Sequence, residues 1–515
     1  MYLTIKKICI KNFRSIQEIQ IVCNKNNLIL GANNSGKTTI VDALRWFFTK
    51  EYKFNPERDL PLNNNNAQPF VEITFSKKLK ISLTYSKGKE VYNLTGGKKK
   101  QYTTIDAIFN ELKINLNVLY IPSVTNVNDY IKLSGQSPLR KILLDILTQC
   151  GQKEYKKEWE SLVQATNIIK GSQSIITDLN DELKDWDVSL SINSPTPNIE
   201  SLIKNFGNVK ISHNAQDYFD IENVGSGLQR QLIFKLLKAI NKQSNPNNVS
   251  KTVKYCNILL FEEPEAFLHF DQQQELARTL KGLSSTSQVF VTTHSHAFLS
   301  RNIADLKTII RVYKEAAITK VAKVKNQKLL DLKNFEIKKI SGHKNYNQNF
   351  EKFQYYTCLD GIRGAMFFAE KVLLVEGQTE INFINKLADD EKIRIPKGLY
   401  VVDTLGKFEI PRYLHLLYAF KIPYAVFHDS DSSNKQQNFN SVIEDIVGGH
   451  NSKVFKYEGA VDLESFLNIK IEKPKALSIL YKYENGDIKE ENLNKFINFI
   501  NTIFDHFNNK EKPSH

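Results

Sequence analysis

A glycine-rich segment near the start of the chain has the residue types that bind nucleotide phosphates. Residues 31–38 fit the pattern G-x-x-x-x-G-K-[ST], between a strand candidate at 27–30 and a helix candidate at 38–49. Backbone N–H groups of such a loop face phosphate oxygens, the lysine reaches the outer phosphates, and the final hydroxyl suits Mg²⁺. The pattern predicts nucleotide binding by Gly31, Asn33, Asn34, Ser35, Gly36, Lys37, Thr38 and Thr39, with Thr38 as a metal ligand.

Carboxylates also follow two apolar strand candidates in the last third of the chain. Glu376 and Glu380 follow residues 371–375, whereas Asp429 and Asp431 follow residues 424–427. The carboxyl ends of parallel strands converge on one edge of a sheet, so we expect these four acids to cluster. Crowded carboxylates repel one another, and their hard oxygens suit Mg²⁺ or Mn²⁺. The pattern predicts a divalent-metal site, although solvated acids at strand ends would give the same spacing.

Length and composition limit the class of protein. With 515 residues, the chain is long enough for two to four domains. The formal net charge is +14, which is compatible with a polyanionic partner such as DNA, although an AT-rich genome also favours lysine. The cysteines show no paired spacing, so reduced thiols are expected. No apolar run reaches the ~18 residues of a membrane span, and the first residues lack a leader pattern. We expect a cytoplasmic protein with no membrane association.

The order of strand and helix candidates predicts an α/β protein with two main domains. An ATPase domain is expected over 1–340, with a helical insertion at about 137–205 that could serve dimerisation. A Lys-rich connector is expected from Thr319 to Ser341, a linker over 341–370 and a second α/β domain over 371–508. The polar tail, 509–515, is expected to fray.

Four further segments resemble ABC-type and SMC-like or RecF-like ATPases: residues 8–15, 225–231, 257–265 and 289–296. The resemblance implies ATP as the nucleotide and a role for Ser226 and Gly227, in the signature-like segment, at the γ-phosphate of a second subunit's nucleotide. It implies that Glu262 helps to hold Mg²⁺, where these ATPases normally have Asp, and that His294 senses the γ-phosphate. Glu263 is the candidate general base.

The second domain resembles TOPRIM, a Rossmann-like fold, and the whole chain is similar to the OLD (overcoming lysogenization defect) family. The expected architecture is an ABC/SMC-like P-loop ATPase domain followed by a TOPRIM domain. The resemblance makes Glu376, Asp429 and Asp431 catalytic metal ligands. It adds Glu464 as a ligand, with Asp462 as the alternative, and places Lys475, or else Lys473, near the scissile phosphate.

The resemblance implies an ATP-regulated DNA endonuclease that uses Mg²⁺ or Mn²⁺, with two ions acting on the water and the leaving oxygen. It also implies a homodimer or higher homo-oligomer, a setting in defence against phage and a helicase-like partner. Two alternatives stay open. One is a RecF-like DNA-binding ATPase whose TOPRIM domain is not catalytic. The other is an ABC ATPase sensor that controls a separate effector.

Overall fold

A computed structural model describes most of the chain outside its middle third. The chain forms two compact units, residues 1–123 with 249–515, and residues 124–248. The described residues are 3–62, 64, 66–95, 100–123, 177, 181, 210–213, 217–220, 235, 254–324, 355–432, 434–450 and 452–509.

The first sheet of the larger unit is antiparallel and begins at the N-terminus. Alternation of buried and exposed residues in Ile16–Val22 places one face of the sheet against the core. The strands follow the spatial order β2-β1-β4-β5-β6-β7. Their bounds are β1 Ile5–Phe13, β2 Ile16–Val22, β4 Phe70–Phe75, β5 Lys80–Ser86, β6 Lys89–Thr95 and β7 Gln101–Tyr102.

The second sheet carries the glycine-rich loop and is mainly parallel. Its order is β14-β13-β3-β12-β11-β8, and only β14 runs antiparallel to its neighbour. Continuous burial of β12 is typical of a strand covered on both faces. The bounds are β3 Asn26–Leu30, β8 Ile114–Ile121, β11 Lys254–Glu262, β12 Gln288–Thr292, β13 Ile309–Glu315 and β14 Ile318–Ala322.

Within the described residues, four helices accompany these two sheets. The first, α1, spans Lys37–Phe48, one residue earlier than the segment 38–49 that the sequence predicts. Its Ile40, Val41 and Leu44 are fully buried in the core beneath the sheets. The others are α2 Pro56–Asp59, α3 Ile105–Glu111 and α4 Phe270–Leu283.

The predicted connector from Thr319 to Ser341 is wrong at its start. Ile318–Ala322 forms β14, which pairs with β13 through a turn at Ala316 and Ala317. Thr319 is fully buried there, and its backbone N–H donates to the Ser15 carbonyl oxygen at 2.8 Å. Residues 325–341 lie outside the described part of the chain.

A third sheet, entirely parallel, lies in the C-terminal part. Its order is β16-β15-β17-β18, so β15, which precedes Glu376, lies beside β17, which precedes Asp429. The strands are β15 Lys371–Val375, β16 Leu399–Asp403, β17 Tyr424–Phe427 and β18 Lys453–Phe455. The helices are α5 Gly361–Gly364, α6 Gln378–Asp389, α7 Ile410–Ala419, α8 Asn434–Gly448, α9 Leu463–Leu467, α10 Lys475–Glu484 and α11 Glu490–Asn509.

This third sheet has its own hydrophobic core. Leu373 and Phe427 from the sheet pack in one cluster with Phe496, Ile500 and Ile503 of α11. Five aromatic rings of this region, those of Phe427, Tyr457, Phe466, Phe496 and Phe499, lie within about 6.5 Å of one another in pairs. The core therefore fixes the strands whose ends carry the acids.

The smaller unit is described only in short pieces. Lys210–His213 (β9) and Asp217–Asp220 (β10) form a two-stranded antiparallel sheet. Nearly all of the predicted insertion at 137–205 lies outside the described residues, as do Ser226 and Gly227. The predicted domain boundaries stay predictions. Residues 355–368, within the predicted linker, include α5 and a 3₁₀ turn.

Two predictions from the composition were reduced cysteines and no membrane-spanning segment. The cysteines of the described residues, Cys9, Cys23, Cys256 and Cys358, are free and buried. No helix within the described ranges has both the length and the apolar character needed to span a membrane.

Candidate functional site

The loop between β3 and α1 requires glycine at two positions. Gly31 and Gly36 have φ of 155° and 108°, which disfavours side chains. A Cβ on Gly31 would lie 2.1 Å from the Val312 carbonyl oxygen, and one on Gly36 would lie 2.4 Å from Thr319 Oγ1. The second sheet therefore packs directly against the loop, and β13 and β14 set its shape.

The ammonium group of Lys37 lies inside this loop. Lys37 Nζ donates to the carbonyl oxygens of Gly31 and Ala32 at 3.0 and 2.9 Å. Burial lowers the pKa of Lys37 to about 8, although Glu263 and Glu265 raise it. An anionic phosphate would relieve the cost of burying this charge.

The other predicted nucleotide-binding residues of the loop divide by exposure. The side chains of Asn33, Asn34 and Thr38 are exposed, whereas Ser35 and Thr39 are buried. Ser35 Oγ has no hydrogen-bond partner among the described residues. A buried hydroxyl of this kind is suited to a polar ligand.

Glu262 ends β11 and is held by a tyrosine that the sequence analysis missed. Tyr120 Oη donates to Glu262 Oε2 at 2.6 Å, and the Arg45 guanidinium lies 3.8 Å from the centre of the Tyr120 ring. The other carboxylate oxygen, Glu262 Oε1, is buried without a hydrogen-bond partner among the described residues. Glu262 therefore keeps one oxygen available for a cation, as its predicted role requires.

Glu263 and His294 face each other at the ends of neighbouring strands. Glu263 Oε1 lies 3.5 Å from His294 Nε2, and the Glu263 side chain is 43% exposed. Burial lowers the pKa of His294, and Lys37 lowers it further, so the neutral imidazole is favoured. The third acid, Glu265, is buried and accepts the His294 backbone N–H at 2.7 Å. The geometry leaves Glu263, not Glu265, accessible to water.

The four acids predicted in the second domain lie together at the carboxyl end of the third sheet. The Asp429 backbone N–H donates to Glu376 Oε2 at 3.3 Å. Glu380 is on the first turn of α6 and accepts the Gly377 N–H at 3.0 Å. Asp431, with φ of 53°, turns the chain after β17. The parallel order of the sheet brings together residues more than 50 positions apart.

The electrostatics of this cluster favour a cation. Burial raises the pKa of Asp429 to about 8, and Glu376, Glu380, Asp431 and Glu464 raise it too. Burial also raises the pKa of Glu380 to about 7 and that of Glu376 above its usual value. Asp429 Oδ1 has no hydrogen-bond partner among the described residues.

Two lysines hold acids of the cluster. Lys407, which the sequence analysis missed, contacts the Asp431 carboxylate and the Asp429 carbonyl oxygen, and its Nζ lies 3.8 Å from Glu376 Oε2. Lys475 pairs with Glu464. In this arrangement no three Asp, Glu, His or Cys side chains within the described ranges are placed to hold a metal ion.

The sequence left two choices open, Glu464 or Asp462 as a metal ligand and Lys475 or Lys473 near the phosphate, and these residues differ in their contacts. Asp462 caps α9, since its Oδ1 accepts the Ser465 N–H at 2.9 Å, whereas Glu464 lies close enough to raise the pKa of Asp429. Both Lys473 and Lys475 are exposed, and it is Lys475 that forms an ion pair with Glu464. The geometry therefore favours Glu464 and Lys475 as members of the cluster.

Asp403 shows that an acid at a strand end need not join the cluster. It ends β16 at the same edge of the sheet, but its Oδ2 accepts Arg363 Nη2 at 2.7 Å and also the Gln378 amide. In the sequence, the one feature that could have pointed to Lys407 as a site residue is that it directly follows Gly406 in the loop after β16. Neither β16 nor the loop after it was predicted to belong to the site, so Lys407 was not predicted either.

The fold and these two sites define a P-loop ATPase joined to a TOPRIM-like acidic sheet. The family described as "AAA ATPase domain" matches residues 3–117 and 97–299. The family described as "Overcoming lysogenization defect protein-like, TOPRIM domain" matches residues 367–431. The chain belongs to the AAA ATPase domain family, and residues 367–431 of its second domain match the TOPRIM domain of overcoming lysogenization defect-like proteins. The predicted fold class and family are confirmed.

Similar proteins include two nucleases. The chain is 24% identical to "Old nuclease" of Escherichia phage P2, over 92% of this chain and 87% of that protein. It is 25% identical to "Endonuclease GajA" of Bacillus cereus, over 83% of this chain and 75% of that protein. Among solved structures, an Smc head domain derived from Pyrococcus furiosus matches with a TM-score of 0.41 and 18% identity, over 65% of this chain and 100% of that one. The domain composition and the relatives together support an ATP-hydrolysing nuclease.

Proposed function

We propose that this protein is an ATP-regulated, divalent-metal-dependent DNA endonuclease. The observation that carries the proposal is the acidic cluster of Glu376, Glu380, Asp429, Asp431 and Glu464 at one end of a parallel sheet. A TOPRIM domain that only bound a partner would have no need of several buried and half-buried carboxylates that raise one another's pKa. The full-length similarity to two nucleases supports the same conclusion.

In the proposed ATPase reaction, each residue of the first site has one task. The loop from Gly31 to Thr39 holds the phosphates, and Lys37 exchanges its two carbonyl partners for phosphate oxygens. Thr38 and Glu262 would hold Mg²⁺. Glu263 accepts a proton from water, and His294, kept neutral by burial, contacts the terminal phosphate.

A hard divalent ion such as Mg²⁺ or Mn²⁺ would suit the donor atoms of the acidic cluster, and its binding would have to draw at least three carboxylates closer together than they lie in the structure. These donors are carboxylate oxygens, and Asp429 Oδ1 has no other partner among the described residues. A bound ion would generate the attacking hydroxide and stabilise charge on the scissile phosphate. Lys475, at the exposed edge of the cluster, would contact that phosphate.

The setting follows from the same resemblance. We infer a homodimer or larger homo-oligomer, because a signature segment at Ser226 and Gly227 has a task only at another subunit's nucleotide. ATP binding would then alter the dimer and so access of DNA to the acidic cluster. A role in defence against phage, with a helicase-like partner, completes the proposal.

Supercoiled plasmid DNA tests this proposal directly. The purified protein is incubated with plasmid and Mg²⁺ or Mn²⁺, with and without ATP. We expect nicked or linear products that disappear with EDTA and return when excess metal is added. Intact plasmid under all metal and ATP conditions would contradict the nuclease and favour a DNA-binding ATPase.

A further inference from the structure

Lys407 is a buried lysine that contacts one side of the acidic cluster. It starts the 3₁₀ turn Lys407–Glu409 directly before α7, and the residue is only 3% exposed. A lysine this deeply buried requires compensation of its charge. The Asp431 carboxylate, the Asp429 carbonyl oxygen and, at 3.8 Å, Glu376 Oε2 provide it.

Hydrogen bonds hold the loop that carries Lys407 against the strand that presents Glu376. Gly406, with φ of 108°, donates its N–H to the Glu376 carbonyl oxygen at 2.8 Å. Thr404 Oγ1 lies 3.1 Å from the Val375 carbonyl oxygen. These contacts tie the loop after β16 to the end of β15, the strand that presents Glu376. These backbone contacts fix the loop, and the buried Lys407 side chain extends from it toward Asp431.

The two sides of the cluster differ in how their charge is balanced. On one side, Lys407 neutralises Asp431 and lies near Glu376. On the other side, Asp429 Oδ1 has no partner among the described residues, Glu380 is 6% exposed, and Glu464 has only Lys475, whose side chain is 53% exposed. One side holds a buried ammonium group, whereas the other has only the solvent-exposed ammonium group of Lys475 beside Glu464.

We propose that Lys407 is a positioning residue that acts as a built-in cation of the TOPRIM site, in the place where a second divalent ion would otherwise bind. In the absence of DNA and nucleotide, the site then takes one divalent ion, on the side of Glu380, Asp429 and Glu464. The inference rests on the proposed function, and it replaces the two-ion site expected from the family resemblance with one ion and one ammonium group.

Binding of Mn²⁺ to the full chain, without nucleotide or DNA, tests this inference. Titration followed by electron paramagnetic resonance counts the bound ions and detects spin coupling between neighbouring ones. We expect one uncoupled Mn²⁺ per chain in the wild type and its loss in Asp429→Asn. Lys407→Met should bind two coupled ions, whereas Lys407→Arg and the exposed control Lys470→Met should bind one.

The wild-type count keeps the inference testable even if Lys407→Met does not fold. Two coupled ions in the wild type would overturn it and leave the proposed nuclease intact. A folded Lys407→Met protein that still binds one ion with unchanged affinity would also overturn it. No bound Mn²⁺, or binding that Asp429→Asn leaves unchanged, would instead contradict the metal site of the proposed function.

Discussion

Glu263 has a backbone conformation that residues other than glycine rarely adopt. Its φ is 40°, and its N–H donates to the Thr292 carbonyl oxygen at 2.9 Å. The contact holds the end of β11 against the end of β12, so the carboxylate faces His294. Strain of this kind persists where surrounding structure enforces it, and it is frequent at active sites.

Glu263→Gln should bind ATP normally but hydrolyse it about 10²–10⁴-fold more slowly, the usual range for loss of a general base. The amide keeps the shape of the side chain but cannot accept a proton from water. Steady-state phosphate release and binding of a fluorescent ATP analogue measure the two effects separately.

Four comparison variants sharpen this test. Lys37→Ala should lose nucleotide binding itself, whereas Lys80→Ala, an exposed lysine of β5, should not. Glu265→Gln alters a buried residue that holds the His294 backbone. Wild-type ATP turnover in Glu263→Gln would contradict its role as the base. The role would then pass to Glu262 or Glu265, whichever of them loses ATP hydrolysis when it is changed to Gln.

At the scale of elements, residues that directly follow an apolar run or a motif could be predicted, and contacts made by a loop without such a pattern could not. The run from β3 through the glycine-rich loop to α1 is one continuous segment, and its position was predicted to within a residue. Glu376 and Asp429 directly follow apolar runs. Lys407 reaches Asp431, 24 residues away, only because β15 lies between β16 and β17.

The hairpin of β13 and β14 was missed for a different reason. Its turn residues, Ala316 and Ala317, have φ of 47° and 67°, values for which Gly, Asn or Asp is usual. Two alanines give no turn signal, so the segment was predicted as a connector. Thr319, two residues after this turn, packs closely against Gly36.

The carboxyl end of the third sheet predicts a pH dependence of stability. The pKa values of Asp429 and Glu380 are raised to about 8 and about 7 in the folded chain. The folded state thus binds more protons than the unfolded state, and stability falls as pH rises through these values. In EDTA, the melting temperature should fall between pH 6 and pH 8.5, and excess Mg²⁺ should raise it most at the higher pH.

Asp429→Asn is the control for this pH effect, because it removes the most perturbed carboxyl group. Its melting temperature in EDTA should depend less on pH than that of the wild type, and Mg²⁺ should raise it less. A wild-type melting temperature that rises from pH 6 to pH 8.5, or that Mg²⁺ does not change, would contradict the electrostatic account.

At the scale of the whole molecule, Arg311 joins the two candidate sites within the larger unit. It lies on β13 and is 3% exposed, and its guanidinium donates to the carbonyl oxygens of Phe420, Lys421 and Ala369 at 3.3, 2.9 and 3.2 Å. Phe420 caps the C-terminus of α7, where a cation is favoured. Next to Arg311, Val312 contacts the Gly31 position of the loop, and Lys407 lies just before the other end of α7.

Arg311→Lys should lower the free energy of unfolding by about 1–3 kcal/mol, the range for unsatisfied buried polar groups. A lysine lacks the planar fork that reaches three carbonyl oxygens. Denaturant unfolding measures the loss, with the exposed Arg301→Lys as control. We also expect a smaller effect of ATP on DNA cleavage, and an unchanged stability together with an unchanged ATP effect would contradict this role.

The central claim is that the acidic cluster is a metal-dependent nuclease site, and cleavage by Asp429→Ala tests it most directly. The control is Asp445→Ala, which removes an exposed acid of α8 in the same domain. Thermal melting and ATP binding establish that both variants are folded. The account predicts that Asp429→Ala no longer cuts plasmid DNA with Mg²⁺ or Mn²⁺, while Asp445→Ala cuts like the wild type. Cleavage at the wild-type rate by a well-folded Asp429→Ala protein would contradict it.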